Sequence, residues 1–174
     1  MKKKLLIFCL LIFNFTSISK VFAQSGYVLP YPGAMPGSVF HKIHALLERI
    51  DSYWYFGNFA QFEYNLQQSD HYLVEAKTLF EYKQYLLATK ALQKSTMYYK
   101  RVYPFLQKAK KEGKNIDKKN ETLKSASSKH IEILTTLLAQ TPKEFIWTPE
   151  KVLPTKLQIR KLIKESIETR NVRP

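Results

Sequence analysis

The stretch Phe62–Leu106, FEYNLQQSDHYLVEAKTLFEYKQYLLATKALQKSTMYYKRVYPFL, decides the fold because it contains two amphipathic patterns in succession. Each pattern repeats apolar or small residues at alternating steps of three and four, which places them on one face of an α-helix. The first comprises Phe62, Leu66, Ser69, Leu73, Ala76 and Phe80, and the second comprises Tyr85, Ala88, Leu92, Ser95, Tyr99, Val102 and Leu106. We therefore predict a helical hairpin whose small residues let the two helices approach closely.

The start of the chain has the pattern of an export signal. Three lysines follow Met1, the run Leu5–Phe15 is mostly apolar, and Val21-Phe22-Ala23 forms a small-residue cleavage site. The run is shorter than the roughly 20 apolar residues that span a bilayer. We expect residues 1–23 to be removed and the mature protein to be secreted or extracytoplasmic. A retained signal anchor is the alternative.

Cysteine usage narrows the possible chemistry. The single cysteine, Cys9, lies inside the apolar run, so the mature chain has none. Thiol chemistry and disulfides are thereby excluded, and core packing alone must hold the domain together. No later segment approaches spanning length, so we expect no transmembrane span after the signal is removed.

Residues 24–38 are predicted to form a proline-rich extended arm, since three prolines and three glycines interrupt any helix there. A first amphipathic helix is predicted from about Val39 to Tyr55. With the hairpin and a later helix, it would form a bundle domain over residues 39–140.

The C-terminal part is predicted to be more irregular. Pro104 should kink the second hairpin helix or end it near Tyr103, and Gly113 should be the residue that terminates its last turn. A further helix over 118–139 would bury one face, comprising Leu123, Ala126, His130, Leu134 and Leu137. Residues 141–174 would then hold an extended segment over 144–154, whose Phe145, Ile146 and Trp147 can dock on the bundle, and a basic helix over 155–168. The predicted fold class is all-α: an antiparallel bundle of four to five helices around the central hairpin, preceded by the arm.

The residues of the arm and the first hairpin helix resemble a known family. The sequence YVLPYPGAMPGS at 27–38, Leu66-x-x-Ser69 and Leu73-x-x-Ala76 are similar to the bacterial domain of unknown function 5667. The resemblance covers about Tyr27 to Tyr99 and implies an exported or extracytoplasmic helical domain without an assigned activity. Members of the family tend to have a glycine at the turn after the first hairpin helix, whereas this chain reads Phe80 to Tyr85 without one. No functional residue is implied by the resemblance.

Charge is unevenly distributed along the mature chain. Residues 24–82 contain three basic and six acidic side chains, whereas residues 83–174 contain 21 basic and eight acidic ones. Such a basic half favours anionic partners, although a lysine-rich bias on solvated helix faces explains it equally well. The candidate anionic-ligand surface comprises Lys100, Arg101, Lys108, Lys110, Lys111, Lys114, Lys118 and Lys119.

Basic and aromatic residues also interleave near the end of the hairpin, a pattern that can grip nucleic acid by charge and stacking. The helical spacing instead assigns the aromatic residues to the core and the lysines to water. Nucleic acid is therefore not the expected partner, and an envelope protein or another anionic polymer is.

A metal site is a weaker possibility. His41, His44 and Glu48, with Asp51, share one side of the first predicted helix and include ligand types that bind zinc. A polar flank explains them more simply, since no third histidine or cysteine is nearby in sequence. We accordingly predict no cofactor.

Enzymatic motifs are missing from the sequence. It contains no glycine-rich phosphate loop, no His-Glu-x-x-His and no Gly-x-Ser-x-Gly. We expect a non-catalytic binding or structural module of the bacterial cell envelope, with a charge-driven binder of an anionic polymer, membrane surface or extracellular nucleic acid as the alternative. A metal-dependent enzyme is the third possibility.

Overall fold

The computed structural model of the protein describes residues 26–32, 55–151 and 153–171. These residues form four helices and one small two-stranded sheet. The elements in chain order are α1 (Asn58–Glu81), α2 (Tyr85–Lys111), α3 (Asp117–Gln140), β1 (Phe145–Trp147), β2 (Thr155–Leu157) and α4 (Ile159–Asn171). The expectation of a helical fold is confirmed in this coarse form, and the predicted signal, most of the arm and the predicted first helix lie outside the described residues.

The predicted hairpin is formed by α1 and α2. Ser69 faces Ser95, and the rings of Phe80 and Tyr85 lie 6.4 Å apart beside the turn, so the helices run antiparallel. Both predicted stripes are buried except for the half-buried Tyr85. Ala76 and Ala88 are fully buried, which agrees with the close approach that small residues allow.

The turn between α1 and α2 is a Schellman motif without glycine. Gln84 N–H donates to Leu79 C=O at 2.9 Å, and Lys83 N–H donates to Phe80 C=O at 3.0 Å. Lys83 takes the left-handed position with φ 58°. A lysine thus occupies the conformation that glycine adopts most easily, and this places the turn at residues 82–84.

The end of α2 repeats the motif with a glycine. Gly113 has φ 77°, and Lys114 N–H donates to Ala109 C=O at 3.1 Å, which confirms Gly113 as the terminating residue. Pro104 lies inside α2, which continues to Lys111, so the predicted alternative of a helix end near Tyr103 is wrong.

The predicted face of α3 is confirmed, since all five of its residues are buried. Contacts between Asp70 and His130 and between Glu63 and Lys119 place α3 alongside α1 in a parallel direction. The apolar core divides into two clusters, one near the α1–α2 turn and one near the α2–α3 turn.

The prediction for the C-terminal part needs correction. Residues 155–157 are a strand and not the first turn of a helix, because they pair antiparallel with β1, Phe145 opposite Leu157. The final helix therefore begins at Ile159. Three apolar residues of this segment were expected to dock on the bundle. The ring centroid of Phe145 lies 4.9 Å from that of Tyr85, whereas the side chain of Ile146 remains 61% exposed.

Candidate functional site

Three ionisable side chains from three different helices meet in the core. Asp70 of α1, His130 of α3 and Arg170 of α4 are 5%, 0% and 2% exposed. His130 Nε2 lies 2.7 Å from Asp70 Oδ1, and Arg170 Nε lies 3.0 Å from His130 Nδ1. The imidazole therefore bridges the carboxylate and the guanidinium. These three residues with their hydrogen-bond partners are called the buried network below.

The neighbours of His130 determine its tautomer. An arginine Nε–H can only donate, so Nδ1 of His130 must accept the hydrogen bond from Arg170. Nε2 then carries the ring hydrogen and donates it to Asp70. Burial lowers the pKa of His130, the hydrogen bond to Asp70 opposes this, and the charge of Arg170 adds to the lowering. The ring is accordingly neutral and held in one orientation.

The guanidinium of Arg170 remains charged in this setting. Burial lowers its pKa to about 10, while Tyr99 and Asp70 act in the opposite direction. Its Cζ lies 4.8 Å from the centroid of the Tyr99 ring, which adds a cation–π contact. The positive charge is thus balanced by a carboxylate across the imidazole and by an aromatic face.

The remaining donors of Arg170 join further helices to the network. One terminal nitrogen donates to Ser95 Oγ at 2.8 Å, and the other donates to the Ser166 carbonyl at 3.0 Å and Thr96 Oγ1 at 3.3 Å. Ser95 Oγ in turn donates to the Ser69 carbonyl at 2.8 Å. Arg170 therefore joins α4 to α2 and α3 directly, and α1 is connected through His130 and Ser95.

The N-terminal segment 26–32 supplies one more donor. Tyr27 hydroxyl donates to Asp70 Oδ2 at 2.6 Å. Burial raises the pKa of this hydroxyl, and the Asp70 charge raises it further, so the phenol stays protonated. Its ring packs against the cluster near the α2–α3 turn. A segment otherwise outside helix and strand is thereby attached to the core.

The network resembles catalytic machinery in composition but not in arrangement. Both ring nitrogens of His130 are occupied, so the ring has no free lone pair with which to accept a proton from a substrate. Ser95 Oγ accepts from Arg170 and donates to a backbone carbonyl, so it is not activated by a base. The arrangement is suited to fixing the relative positions of the helices.

The predicted basic surface is divided between different parts of the molecule. Five members are exposed on α2: Lys100, Arg101, Lys108, Lys110 and Lys111. Lys118 is exposed near the start of α3. Lys114 pairs with Glu112 at 2.8 Å, and Lys119 pairs with Glu63, so these two charges are partly compensated.

Helix α2 has a further property that the candidate set did not capture. Lys90 and Lys94 also belong to this helix, in addition to the five members named above. Helix α2 therefore carries seven basic residues and no acidic one. All seven are exposed, and within the described residues none of them forms an ion pair.

The metal candidates His41, His44 and Glu48 lie outside the described residues. Among the residues that the structure does describe, no group of three potential ligands converges on one point. His71 lies beside Tyr72 with a ring separation of 5.4 Å, and His130 belongs to the buried network.

The sequence does not reveal the buried network. Its helical spacing places His130 on the buried face of α3, but the partners of His130 are 60 and 40 residues away. The available signal was the spacing of Ile163, Ser166 and Arg170, which puts a serine and an arginine on the apolar face of α4. An arginine in such a position requires a buried partner, since an unpaired buried charge is costly.

In the described part of the chain, no helix combines the length and apolar character needed to cross a bilayer. The fold and the network define a helical domain with two apolar core clusters and a buried polar network that joins its helices. The chain belongs to the family described as Domain of unknown function (DUF5667), which it matches over residues 33–144. Neither the curated proteins nor the solved structures include a match.

Proposed function

We propose that the protein is an exported, non-catalytic binding or structural module of the bacterial cell envelope. We also propose that the domain is an antiparallel bundle of four to five helices preceded by a proline-rich arm. The observation that carries it is the buried network, in which Asp70, His130 and Arg170 satisfy one another away from solvent. Its partner would be an envelope protein or an anionic polymer.

Catalysis by acid, base or nucleophile needs a group that can reach a substrate, whereas these groups are directed at each other. Export is supported by the sequence alone, through the basic start, the run Leu5–Phe15 and the cleavage site ending at Ala23. Binding would then use the outer surface of the helices.

The accessibility of His130 tests the non-catalytic assignment. We would treat the folded chain with diethyl pyrocarbonate and locate the modified histidines by mass spectrometry. We expect His130 to stay unmodified while His71, whose side chain is 21% exposed, reacts. Modification of both histidines at equal rates in the folded protein would contradict a closed network.

Export is tested separately by expressing the full chain in a bacterial host. The expected product begins at Gln24 and is found outside the cytoplasm. An unprocessed chain in the membrane fraction would identify a signal anchor, and an unprocessed chain in the cytoplasm would refute export.

A second candidate function is charge-driven binding of an anionic polymer. The exposed cations of α2, which form no ion pair with the described part of the chain, favour it. Surface charges of one sign raise the local concentration of opposite charges, and salt screens this attraction over about 8 Å at physiological strength. We expect the mature chain to be retained on a heparin column at low salt and released as salt rises. Passage without retention at low salt would refute this function.

A further inference from the structure

The cations of α2 are not spread evenly around the helix. Lys90, Lys94, Arg101 and Lys108 follow steps of four, seven and seven, so they form a single row along the solvent side. At a rise of about 1.5 Å per residue, this row is about 27 Å long. We call these four residues the cation row.

Aromatic rings hold three members of the cation row in place. Lys94 Nζ lies 4.6 Å from the Tyr72 ring centroid and 3.2 Å from its hydroxyl oxygen. Arg101 lies 5.7 Å from the Tyr98 ring, and the Tyr72 and Tyr98 rings stack at 5.8 Å.

The third pair lies further along the helix, where Lys108 Nζ is 5.2 Å from the Phe105 ring. Long cationic side chains lose conformational freedom when they bind a ligand. Cations that are already held against rings lose less of it, so the rings prepare the row for binding.

Acidic side chains do not neutralise the cation row within the described residues. Helix α2 has none of its own. On the neighbouring α1, Glu81 pairs with Lys77 and Glu63 pairs with Lys119. Glu75 of α1 lies 4.0 Å from His71, so no ion pair of the described residues includes a member of the cation row.

We propose that the cation row binds a linear polyanion lying along α2. This inference rests on the second candidate function and specifies its ligand class and location. Consecutive row members from Lys94 onward are about 10 Å apart along the axis, so a small anion reaches one or two of them, while a chain with repeated charges reaches all four. The ring faces covered by these cations are not open to bases, so stacking does not favour nucleic acid. The favoured ligand is a phosphate- or sulfate-bearing polymer.

The experiment compares two triple variants of equal charge change in the mature protein. Lys94→Glu, Arg101→Glu and Lys108→Glu together reverse three of the four charges of the row. Lys124→Glu, Lys143→Glu and Lys164→Glu together reverse exposed lysines on α3, the following loop and α4. Lys143 and Lys164 line a cleft of about 700 Å³ beside α4, so this control also tests whether polyanions bind at that cleft. Melting curves establish that each variant is folded.

Binding is measured with long-chain polyphosphate, with pyrophosphate and with vesicles containing phosphatidylglycerol. We expect polyphosphate to bind at least about tenfold more tightly than pyrophosphate at equal phosphate concentration, since it contacts the whole row. The row reversal should weaken polyphosphate binding by about tenfold or more, and the control reversal by less than about threefold. Phe105→Leu leaves the net charge unchanged but removes the ring that holds Lys108. This variant should weaken polyphosphate binding by about two- to fivefold.

Three results would overturn the inference and are distinguishable from one another. Equal losses in the two triple variants would mean that net charge and not the row is responsible. Binding to vesicles but not to polyphosphate would assign the surface to a membrane. If the unaltered protein binds none of the three probes at low salt, the second candidate function itself fails.

Discussion

Arg170 donates its Nε hydrogen to Nδ1 of His130 over 3.0 Å, although the residues are 40 positions apart in the sequence. This bond places a charged guanidinium against a neutral imidazole, and the opposite side of the ring donates to Asp70. Removing one member of such a network leaves a buried charge or a buried donor without its partner. The network therefore makes the packing of the helices specific, and its removal should be costly.

Arg170→Met tests this directly, because methionine retains much of the volume but none of the donors. We expect the free energy of unfolding to fall by about 3–5 kcal/mol, since Asp70 loses its balancing charge. Urea unfolding of the mature chain gives the value. Arg101→Met, at an exposed position, is the matched control and should change stability by less than about 0.5 kcal/mol. Equal effects would show that the buried guanidinium has no special role.

Tyr27→Phe tests the attachment of the N-terminal segment. The variant removes the hydroxyl that donates to Asp70 Oδ2 and should destabilise the protein by about 1–3 kcal/mol. Tyr31→Phe serves as control, since Tyr31 is 93% exposed. A thermal melt of each variant is sufficient. Unchanged melting of Tyr27→Phe would mean that the segment is not energetically coupled to the core.

Lys83→Gly should stabilise the turn between α1 and α2. Lys83 has φ 58°, a conformation that costs a side-chain-bearing residue about 1 kcal/mol and costs glycine little. We expect a gain of about 0.5–1 kcal/mol in chemical unfolding. Gln84→Gly, one residue later at φ −82°, should instead lose stability through greater freedom of the unfolded chain. A loss of stability in both variants would argue against the left-handed turn at Lys83.

Stability should also fall in mild acid because of His130. Burial lowers the pKa of His130 below its ordinary value of about 6.5, so the unfolded chain takes up a proton first as the pH falls. The stability from the neutral ring is complete above about pH 6.5 and is lost below it, by up to about 1.4 kcal/mol per pH unit.

The comparison variant for this dependence is His130→Gln, whose amide can donate to Asp70 and accept from Arg170 but does not titrate. We expect the difference in unfolding free energy between the two proteins to change below pH 6.5 and to be constant above it. Parallel pH profiles would show that His130 does not gain a proton on unfolding.

The sequence predicted those parts of the fold that local periodicity encodes. The stripes of α1, α2 and α3 follow the three-four spacing closely, and their buried faces agree with it. The β1–β2 pair was not predicted, because two three-residue strands contain too few residues to show a period and depend on each other for their hydrogen bonds. The left-handed conformation of Lys83 was not predicted either, because the glycine that indicates such a turn is missing.

The pairings within the buried network could not be predicted for a related reason. Arg170 stands out on the apolar face of α4, but Asp70 and His130 are ordinary in their local sequence, and only tertiary packing brings these two together across 60 positions. For the basic surface, the sequence shows how many charges there are. Their alignment, with Lys90 and Lys94 in one row with Arg101 and Lys108, could be recognised only from the exact bounds of the helix.

The closed buried network with its neutral His130 is the reason why we assign the proposed binding to the outer surface of the helices. Long-range proton–nitrogen correlation spectra of the imidazole, recorded from pH 8 to pH 5, measure this most directly. We predict that His130 shows a protonated Nε2 and an unprotonated Nδ1 at neutral pH, and that it stays neutral below pH 6.5. An imidazolium at neutral pH, or a hydrogen on Nδ1, would contradict the hydrogen bond from Arg170 and with it the account of a closed core.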